Sequence, residues 1–221
     1  METLNRFMSG NTSQPSAKTL LDLSHLRSDV RQHLVKVYAV LGAMIGASAV
    51  GAYMGIHHQL SMNIAGLMTF VTLIALIFVP YQHGKVQYER LGLILAFGFF
   101  KGATLAPLIA HTLHFNPQVL TLAFSATCLV FGCFTAAALL SNRREYLYLG
   151  GFLGGALTIS LYLSLFNMFI GSTAIPWLNI YGGVIIFSLY ILYDSQMIVE
   201  KASMGNYDHV NHALELFLDF I

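Results

Sequence analysis

The sequence predicts an all-α membrane protein, a bundle of six or seven transmembrane helices. Of its 221 residues, 56% are hydrophobic and only 10% are charged. A soluble domain carries about 25% charged residues, because its surface must be solvated. Six apolar stretches reach the roughly 20 residues that a helix needs to cross the bilayer core. The net charge of +1 gives no strongly basic surface that would favour binding to nucleic acid. The apolar composition instead makes the lipid bilayer the predicted main partner.

The chain divides into a polar N-terminal segment, residues 1–33, and a single transmembrane bundle, residues 34–221. The first segment has no apolar stretch that would serve as a secretory signal. Residues 24–36 mix apolar and charged side chains and predict either an interfacial helix or a solvated tail. The predicted spans are residues 36–56, 61–80, 91–111, 118–140, 146–170 and 177–199.

A last apolar run, residues 209–221, would be about 20 Å long as a helix, which is too short to span. Either the run is cut from a longer helix, or it is re-entrant and buried among the other helices.

Basic residues outside the spans alternate from one connector to the next. Connectors 57–60, 112–117 and 171–176 contain none. The basic residues before or between the other spans are Arg6, Lys18, Arg27, Arg31, Lys36, Lys85, Arg90, Arg143, Arg144 and Lys201. The positive-inside rule assigns that side to the cytoplasm, so a cytoplasmic N-terminus is predicted.

Glycines recur at four-residue spacing in several spans. The pairs are Gly42/Gly46, Gly51/Gly55, Gly98/Gly102, Gly150/Gly154 and Gly151/Gly155. Faces of small residues let helix backbones approach closely in lipid. We expect these faces to pack the bundle within one chain rather than to form a dedicated dimer interface.

Lys101, Asp194 and Asp219 are ionisable side chains inside the predicted apolar elements. A charged residue at a helix centre costs roughly 2.5–3.5 kcal/mol on insertion scales, so it usually faces the bundle interior and has a function. Lys101 lies about ten residues into its span. It is expected either to neutralise an aspartate or to extend its stem towards an interface.

The two aspartates are placed symmetrically about a predicted turn. The turn lies around residues 204–207, with Gly205 ending the preceding helix. Asp194 lies 12 residues before Asn206, and Asp219 lies 13 residues after it. In an antiparallel helix pair such residues lie at the same depth, so both carboxylates are expected at one level. Spacing leaves open whether they face each other.

Two facing carboxylates in a low-dielectric gap cannot both ionise cheaply, so they titrate as a coupled pair. Asp194 and Asp219 would then form a proton switch and, when deprotonated, an oxygen site for Ca²⁺. The alternative is a structural pair, hydrogen-bonded to Ser, Asn or backbone groups.

Histidine pairs are weaker candidates for a site. His111 and His114, like His209 and His212, are three residues apart, which places two imidazoles one helical turn apart, as in some zinc sites. No cysteine stands at ligand spacing, and we expect interfacial histidines without a metal.

Other chemistry has little support in the sequence. Cys128 and Cys133 project in different directions on one helix, and we expect them to be unbridged and buried. The chain contains no GxSxG, HExxH, P-loop or dinucleotide motif. We therefore expect a protein that is not an enzyme and has no cofactor.

Five segments carry a family resemblance. They are QHLVKVYA (32–39), ERLGLILAF (89–97), NRREYLYLGG (142–151), LYDSQMIVEKA (192–202) and LELFLDFI (214–221). By these segments the chain resembles the Bax inhibitor family, the transmembrane Bax-inhibitor-motif proteins, and its endoplasmic-reticulum members in particular. The resemblance covers about residues 30–221. Its last two segments are the ones that hold the acidic pair of the family.

The resemblance implies six helices around a short central last helix, with Asp194 and Asp219 as pH sensor and Ca²⁺ site. It also implies a pH-sensitive Ca²⁺ leak channel, or an H⁺-coupled Ca²⁺ transporter, in the endoplasmic reticulum membrane, where it opposes cell death. Ca²⁺ and H⁺ would be the bound or transported ions, and other membrane proteins of the cell-death machinery would be partners.

The chain departs from the family in two places. Bacterial members hold the acidic pair with an arginine of the second span, whereas residues 61–79 carry no charge here. Lys101 is the candidate replacement. Endoplasmic-reticulum members also continue past the LDFI segment, whereas this chain stops at Ile221.

Two other functions stay open. One is a regulatory scaffold that modulates cell death through partner proteins, with a purely structural aspartate pair. The other is a membrane-embedded zinc hydrolase. The predicted topology opposes the hydrolase, because it places His111 and His209 on opposite membrane faces.

Overall fold

The computed structural model describes residues 27–57, 61–81, 88–141 and 146–221, which form helices and short connections without any strand. The seven helices of this part of the chain are α1 (Ser28–His57), α2 (Met62–Phe78), α3 (Tyr88–Phe115), α4 (Pro117–Leu140), α5 (Leu149–Ile170), α6 (Ala174–Ser203) and α7 (His209–Phe220). The predicted all-α fold is confirmed.

Five of the helices, α1 and α3 to α6, are long and apolar enough to cross a membrane. Helix α2 has 17 residues, at the lower end of the range of about 17–25 that a span needs. Large apolar side chains cover the outside of the bundle, as at Phe78 and Phe169, which are 80% and 88% exposed. An apolar surface of this extent is typical of a protein that faces lipid.

Helix α1 is continuous over 30 residues from Ser28. Residues 28–36 therefore begin the helix of the first span. The helix, one of the two alternatives predicted for residues 24–36, is therefore confirmed from Ser28 onwards, and the solvated tail is wrong for these residues, while residues 24–26 lie outside the described part of the chain. The reason is local: buried Val30 and Leu34 lie one turn apart and join the apolar stripe of the span that follows.

Helix α1 packs most extensively on α3 rather than on its sequence neighbour α2. Glycines make this approach possible: Gly51 lies against the backbone of Phe99, and Gly102 against the backbone of Ser48. We call this contact the α1–α3 seam. At five other glycines of the predicted faces a Cβ would meet nothing within 4 Å; these are Gly42, Gly46, Gly151, Gly154 and Gly155. Close packing through glycine is therefore confined to part of the predicted set.

Helix α7 is enclosed by the other helices. Its buried apolar face packs on α1, α3 and α6, and Phe217 meets Phe97 of α3 with ring centroids 6.0 Å apart. Phe220 reaches α4, where its ring lies 5.5 Å from that of Phe131. The residues of this face are Val210, Ala213, Leu214, Leu216 and Phe217. This short last helix lies in the bundle interior.

The two cysteines are both free and both exposed, on α4. The expectation that Cys128 and Cys133 are buried is therefore wrong. Ala138 is the one buried residue of α4, and much of the rest of this helix presents its side chains outwards.

Candidate functional site

The site begins with the hairpin of α6 and α7. Gly205 has a φ of 92°, a left-handed conformation that favours glycine, and the N–H of Asn206 donates to the Lys201 carbonyl at 2.9 Å. Asp208 begins the next helix by accepting from the Asn211 N–H at 3.1 Å. The predicted turn and the predicted helix end at Gly205 are both confirmed.

Asp194 of α6 and Asp219 of α7 are neighbours across this hairpin, within hydrogen-bonding reach of each other when one carries a proton. Both side chains are partly buried. The Oδ2 atom of Asp219 is buried and has no hydrogen-bond partner in the described part of the chain. The shared level was predicted from spacing, and the structure adds that the two carboxylates face each other.

The rotation of α7 explains why they face each other. Val210, Ala213 and Phe217 recur at helical spacing and are buried in the apolar core. Glu215 and Asp219 are four residues apart and share a different face. That face meets α6, because Lys201 of α6 donates to both carboxylate oxygens of Glu215, at 3.0 and 3.1 Å.

Lys201 and Glu215 surround the aspartate pair with further charge. The Glu215 carboxylate lies near enough to influence both aspartates, and the Lys201 ammonium influences Asp194. Sequence reasoning missed the role of both residues: Lys201 was used only as a basic residue of a connector, and Glu215 of the last predicted element was not considered. The available signal was the four-residue spacing of Glu215 and Asp219.

Lys101 lies on α3 and forms no ion pair within the described residues. The structure does not bring it to the aspartates. Lys201 instead supplies positive charge beside Asp194.

A second polar cluster lies at the turn end of α7. The Nε2 atom of His33 on α1 and the Nδ1 atom of His212 on α7 share a hydrogen bond of 2.9 Å, and both residues are buried. Beside them, Arg90 of α3 donates to Asp208 at 2.8 Å, with side chains only 7% and 14% exposed. Two separate polar contacts therefore tie the start of α7 to α1 and α3.

Tyr81, in the connection after α2, joins this cluster. The Arg90 guanidinium lies 5.9 Å from its ring centroid, a cation–π contact. Burial raises the pKa of the Tyr81 phenol, and the Asp208 carboxylate adds to this, while Arg90 opposes it. The phenol therefore stays neutral beside the ion pair.

The described residues bring together no group of three or more His, Cys, Asp or Glu side chains that could hold a metal ion. His111 lies 21 residues along α3 from Arg90, about 31 Å at 1.5 Å per residue. Arg90 contacts Asp208, which directly precedes His209, so His111 and His209 lie at opposite ends of the bundle. They cannot bind the same zinc ion, as the hydrolase hypothesis requires. His111 and His114 instead pack on Phe115.

The fold and the site define a polytopic helical membrane protein with a pair of facing, partly buried carboxylates in the bundle. Residues 30–221 match the model of the family described as inhibitor of apoptosis-promoting Bax1. The chain is 39% identical to human Bax inhibitor 1 over 204 residues, covering 91% of this chain and 86% of that protein. It is 40% identical to Bax inhibitor 1 of Drosophila melanogaster over 193 residues, 87% of this chain and 78% of the relative. With Bax inhibitor 1 of Arabidopsis thaliana it shares 38% identity over 229 aligned positions, 99% and 90% of the two chains.

The chain belongs to the Bax inhibitor 1 family. The resemblance read from its sequence segments is thereby confirmed.

Proposed function

We propose that this chain is a pH-sensitive Ca²⁺ leak channel, or an H⁺-coupled Ca²⁺ transporter, of the endoplasmic reticulum membrane. Its gate is the pair Asp194 and Asp219, and its action on Ca²⁺ stores opposes cell death. The observation that carries the proposal is the meeting of these two carboxylates inside a bundle of apolar helices, with Asp219 Oδ2 lacking a partner in the described part of the chain.

The chemistry of the pair supports this function. With one proton between them, the carboxylates can hydrogen-bond and hold α6 to α7. Without it, two like charges repel each other and offer hard oxygen ligands to Ca²⁺. The protonation state thus changes both the contact between the helices and the affinity for the cation. None of these steps makes or breaks a covalent bond other than one to a proton, so the proposed role is ion passage rather than enzymatic catalysis.

Surrounding charge supports the same function. Glu215 adds a third carboxylate near the pair, while its ion pair with Lys201 offsets part of that charge. We infer that Lys201, rather than an arginine of the second span, supplies the cation of this site. The proposed orientation places the N-terminus and the α6–α7 turn in the cytoplasm, on the basis of the basic connectors.

The test is Ca²⁺ flux in proteoliposomes at pH 6, 7 and 8 for the parent, Asp194→Asn and Asp219→Asn. Asparagine keeps the shape of the side chain but cannot change its charge. Each variant is therefore expected to flatten the pH dependence, with the ratio of flux at pH 8 to that at pH 6 moving towards 1. Asp29→Asn, which alters an exposed carboxylate near the start of α1, is the control and should leave the profile unchanged.

If both variants keep the pH profile of the parent, the pair is not the gate. A regulatory scaffold with a structural aspartate pair would then be favoured, provided that the same variants lower the thermal stability.

A further inference from the structure

Four ionisable residues lie on one face of α7. They are Asp208, which caps the helix, and His212, Glu215 and Asp219 within it. Their separations of four, three and four residues place them in one row, because side chains at these spacings are neighbours on a helix. The row extends over about 16 Å, from the turn after α6 to the aspartate pair, at 1.5 Å per residue. We call these four residues the α7 stripe.

Each residue of the α7 stripe meets an ionisable side chain of another helix. From the turn inwards, the four contacts are Arg90–Asp208 at 2.8 Å, His33–His212 at 2.9 Å, Lys201–Glu215 at 3.0 Å and the facing pair of Asp194 and Asp219. Chains of Asp, Glu and His inside membrane proteins are typical of proton relays. The stripe therefore connects the turn end of α7 to the aspartate pair through groups that bind and release protons.

The contact of His33 and His212 is the most deeply buried step of this row. The two residues are 3% and 1% exposed, and one hydrogen bond joins Nε2 of His33 to Nδ1 of His212. In the tautomer in which His33 donates, a proton that binds Nδ1 of His33 lets the proton of this hydrogen bond pass to His212, which then releases a proton from Nε2. One proton enters, one leaves and both rings end neutral. Rotation of the rings restores the starting tautomers.

The charges around the histidine pair favour passing a proton over holding one. The neighbouring ionisable groups are Lys36, Arg90, Lys201, Tyr207, Asp208 and His209. Lys36 and Lys201 oppose a positive charge on the pair, and Asp208, which favours it, is already paired with a guanidinium. Burial opposes an imidazolium as well. The protonated state of the pair is therefore short-lived.

We propose that His33 and His212 relay protons between the turn end of α7 and the aspartate pair. This inference rests on the proposed function, in which the protonation of the pair sets the state of the gate. Glu215 is the intermediate step, because it lies one helical turn from His212 and one from Asp219. Asp219 Oδ2 is buried without a partner in the described part of the chain, so it can take up the proton that arrives. The relay gives a buried switch access to the pH at one end of the bundle.

The test replaces either histidine, in His33→Gln and His212→Gln. Glutamine keeps a hydrogen-bonding side chain but does not take up protons near neutral pH. After a rapid change of pH, infrared difference spectroscopy follows the carboxyl band of the aspartate pair, which is identified by its loss in Asp194→Asn and Asp219→Asn. Each glutamine variant is expected to slow the change of this band about a hundredfold, the lower end of the contribution of a positioned proton-transfer group. The final amplitude should match the parent, because a relay changes the rate and not the equilibrium. His111→Gln, at the other end of α3, is the matched control and should keep the rate of the parent.

Parental rates in both glutamine variants would overturn the relay. A changed amplitude together with a lowered melting temperature would also overturn it, because that result is expected of a purely structural contact. If neither variant folds, the parent in sealed proteoliposomes of one orientation decides the matter. The band should then follow a pH step on the side of the α6–α7 turn, and a response to a step on the opposite side alone would reject the relay.

The infrared measurement needs no Ca²⁺, so the relay and the proposed function can fail separately. Parental rates in the glutamine variants, together with a flattened pH profile of Ca²⁺ flux in the aspartate variants, reject the relay and leave the gate intact. Parental pH profiles of flux in the aspartate variants reject the gate itself.

Discussion

At the scale of single residues, the buried ion pair of Arg90 and Asp208 joins the start of α7 to α3. A charge left unpaired in a buried site is costly, so breaking such a pair by changing one partner is strongly destabilising. Asp208 also caps α7. Asparagine caps a helix about as well as aspartate does. The substitution Asp208→Asn therefore removes the charge and keeps the capping hydrogen bond.

We expect Asp208→Asn to lower the free energy of unfolding by about 3 kcal/mol, because the buried Arg90 guanidinium no longer faces the negative charge of Asp208. Thermal unfolding of the purified protein in detergent measures the change. Asp29→Asn is the matched control: its pair with Arg27 spans 3.3 Å and both side chains are more than half exposed, so it should change stability by less than about 1 kcal/mol. Equal effects of the two substitutions would contradict the role given to the buried pair.

The residues of the candidate site show where sequence reasoning succeeds and where it ends. The common depth of Asp194 and Asp219 follows from counting residues to a turn that Gly205 marks. Their facing orientation does not follow from counting, because it depends on how α7 is rotated by its apolar contacts. Lys101 illustrates the converse: a charge inside an apolar stretch indicates a task, but the sequence does not show which neighbour it meets.

At the scale of helices, the α1–α3 seam depends on backbones that approach closely. A side chain on Gly102 would collide with the Ser48 backbone, whereas one on Gly46 would enter open space. The two glycines have the same spacing signature in the sequence. Periodicity alone therefore could not distinguish a glycine that packs from one that faces outwards.

We expect Gly102→Ala to lower the free energy of unfolding by about 1–3 kcal/mol, the usual cost of overpacking a tight interface. Gly46→Ala serves as the control and should be neutral or stabilise by about 0.5–1 kcal/mol, because alanine is the better helix former. Melting temperatures of the two variants in the same detergent decide the matter. A larger loss in Gly46→Ala than in Gly102→Ala would show that the seam does not pack as described.

At the scale of the whole molecule, hydropathy predicted the all-α class, because apolar runs of sufficient length have few alternatives to a membrane helix. The neighbours of each helix were not predicted. Hydropathy is nearly uniform around helices such as α4 and α5, so it carries little information about which face turns inwards. The start of α1 was predicted only as one of two alternatives, because charged residues surround the apolar Val30 and Leu34, which the structure buries.

The orientation of the bundle makes a separate prediction. In a variant with Cys128→Ser and Cys133→Ser, a single cysteine is introduced by Ser28→Cys or by His114→Cys. A maleimide that cannot cross membranes is expected to label the first position in sealed microsomes whose cytoplasmic face is outside. The second position should react only after the membrane is permeabilised. Labelling in the reverse order would invert the proposed topology.

The α1–α3 seam has a consequence for the order of assembly during synthesis. Among the described helices α1 leaves the ribosome first, yet its principal neighbour begins 31 residues after its own end, at Tyr88. Until then the glycine face of α1 has only lipid to contact. The helices of the bundle core therefore cannot pack in the order in which they are synthesised, because α1 packs on α3 only after α3 has entered the membrane. Defects at Gly51 or Gly102 would accordingly expose a helix that has inserted correctly and has no neighbour, the kind of intermediate that membrane quality control recognises.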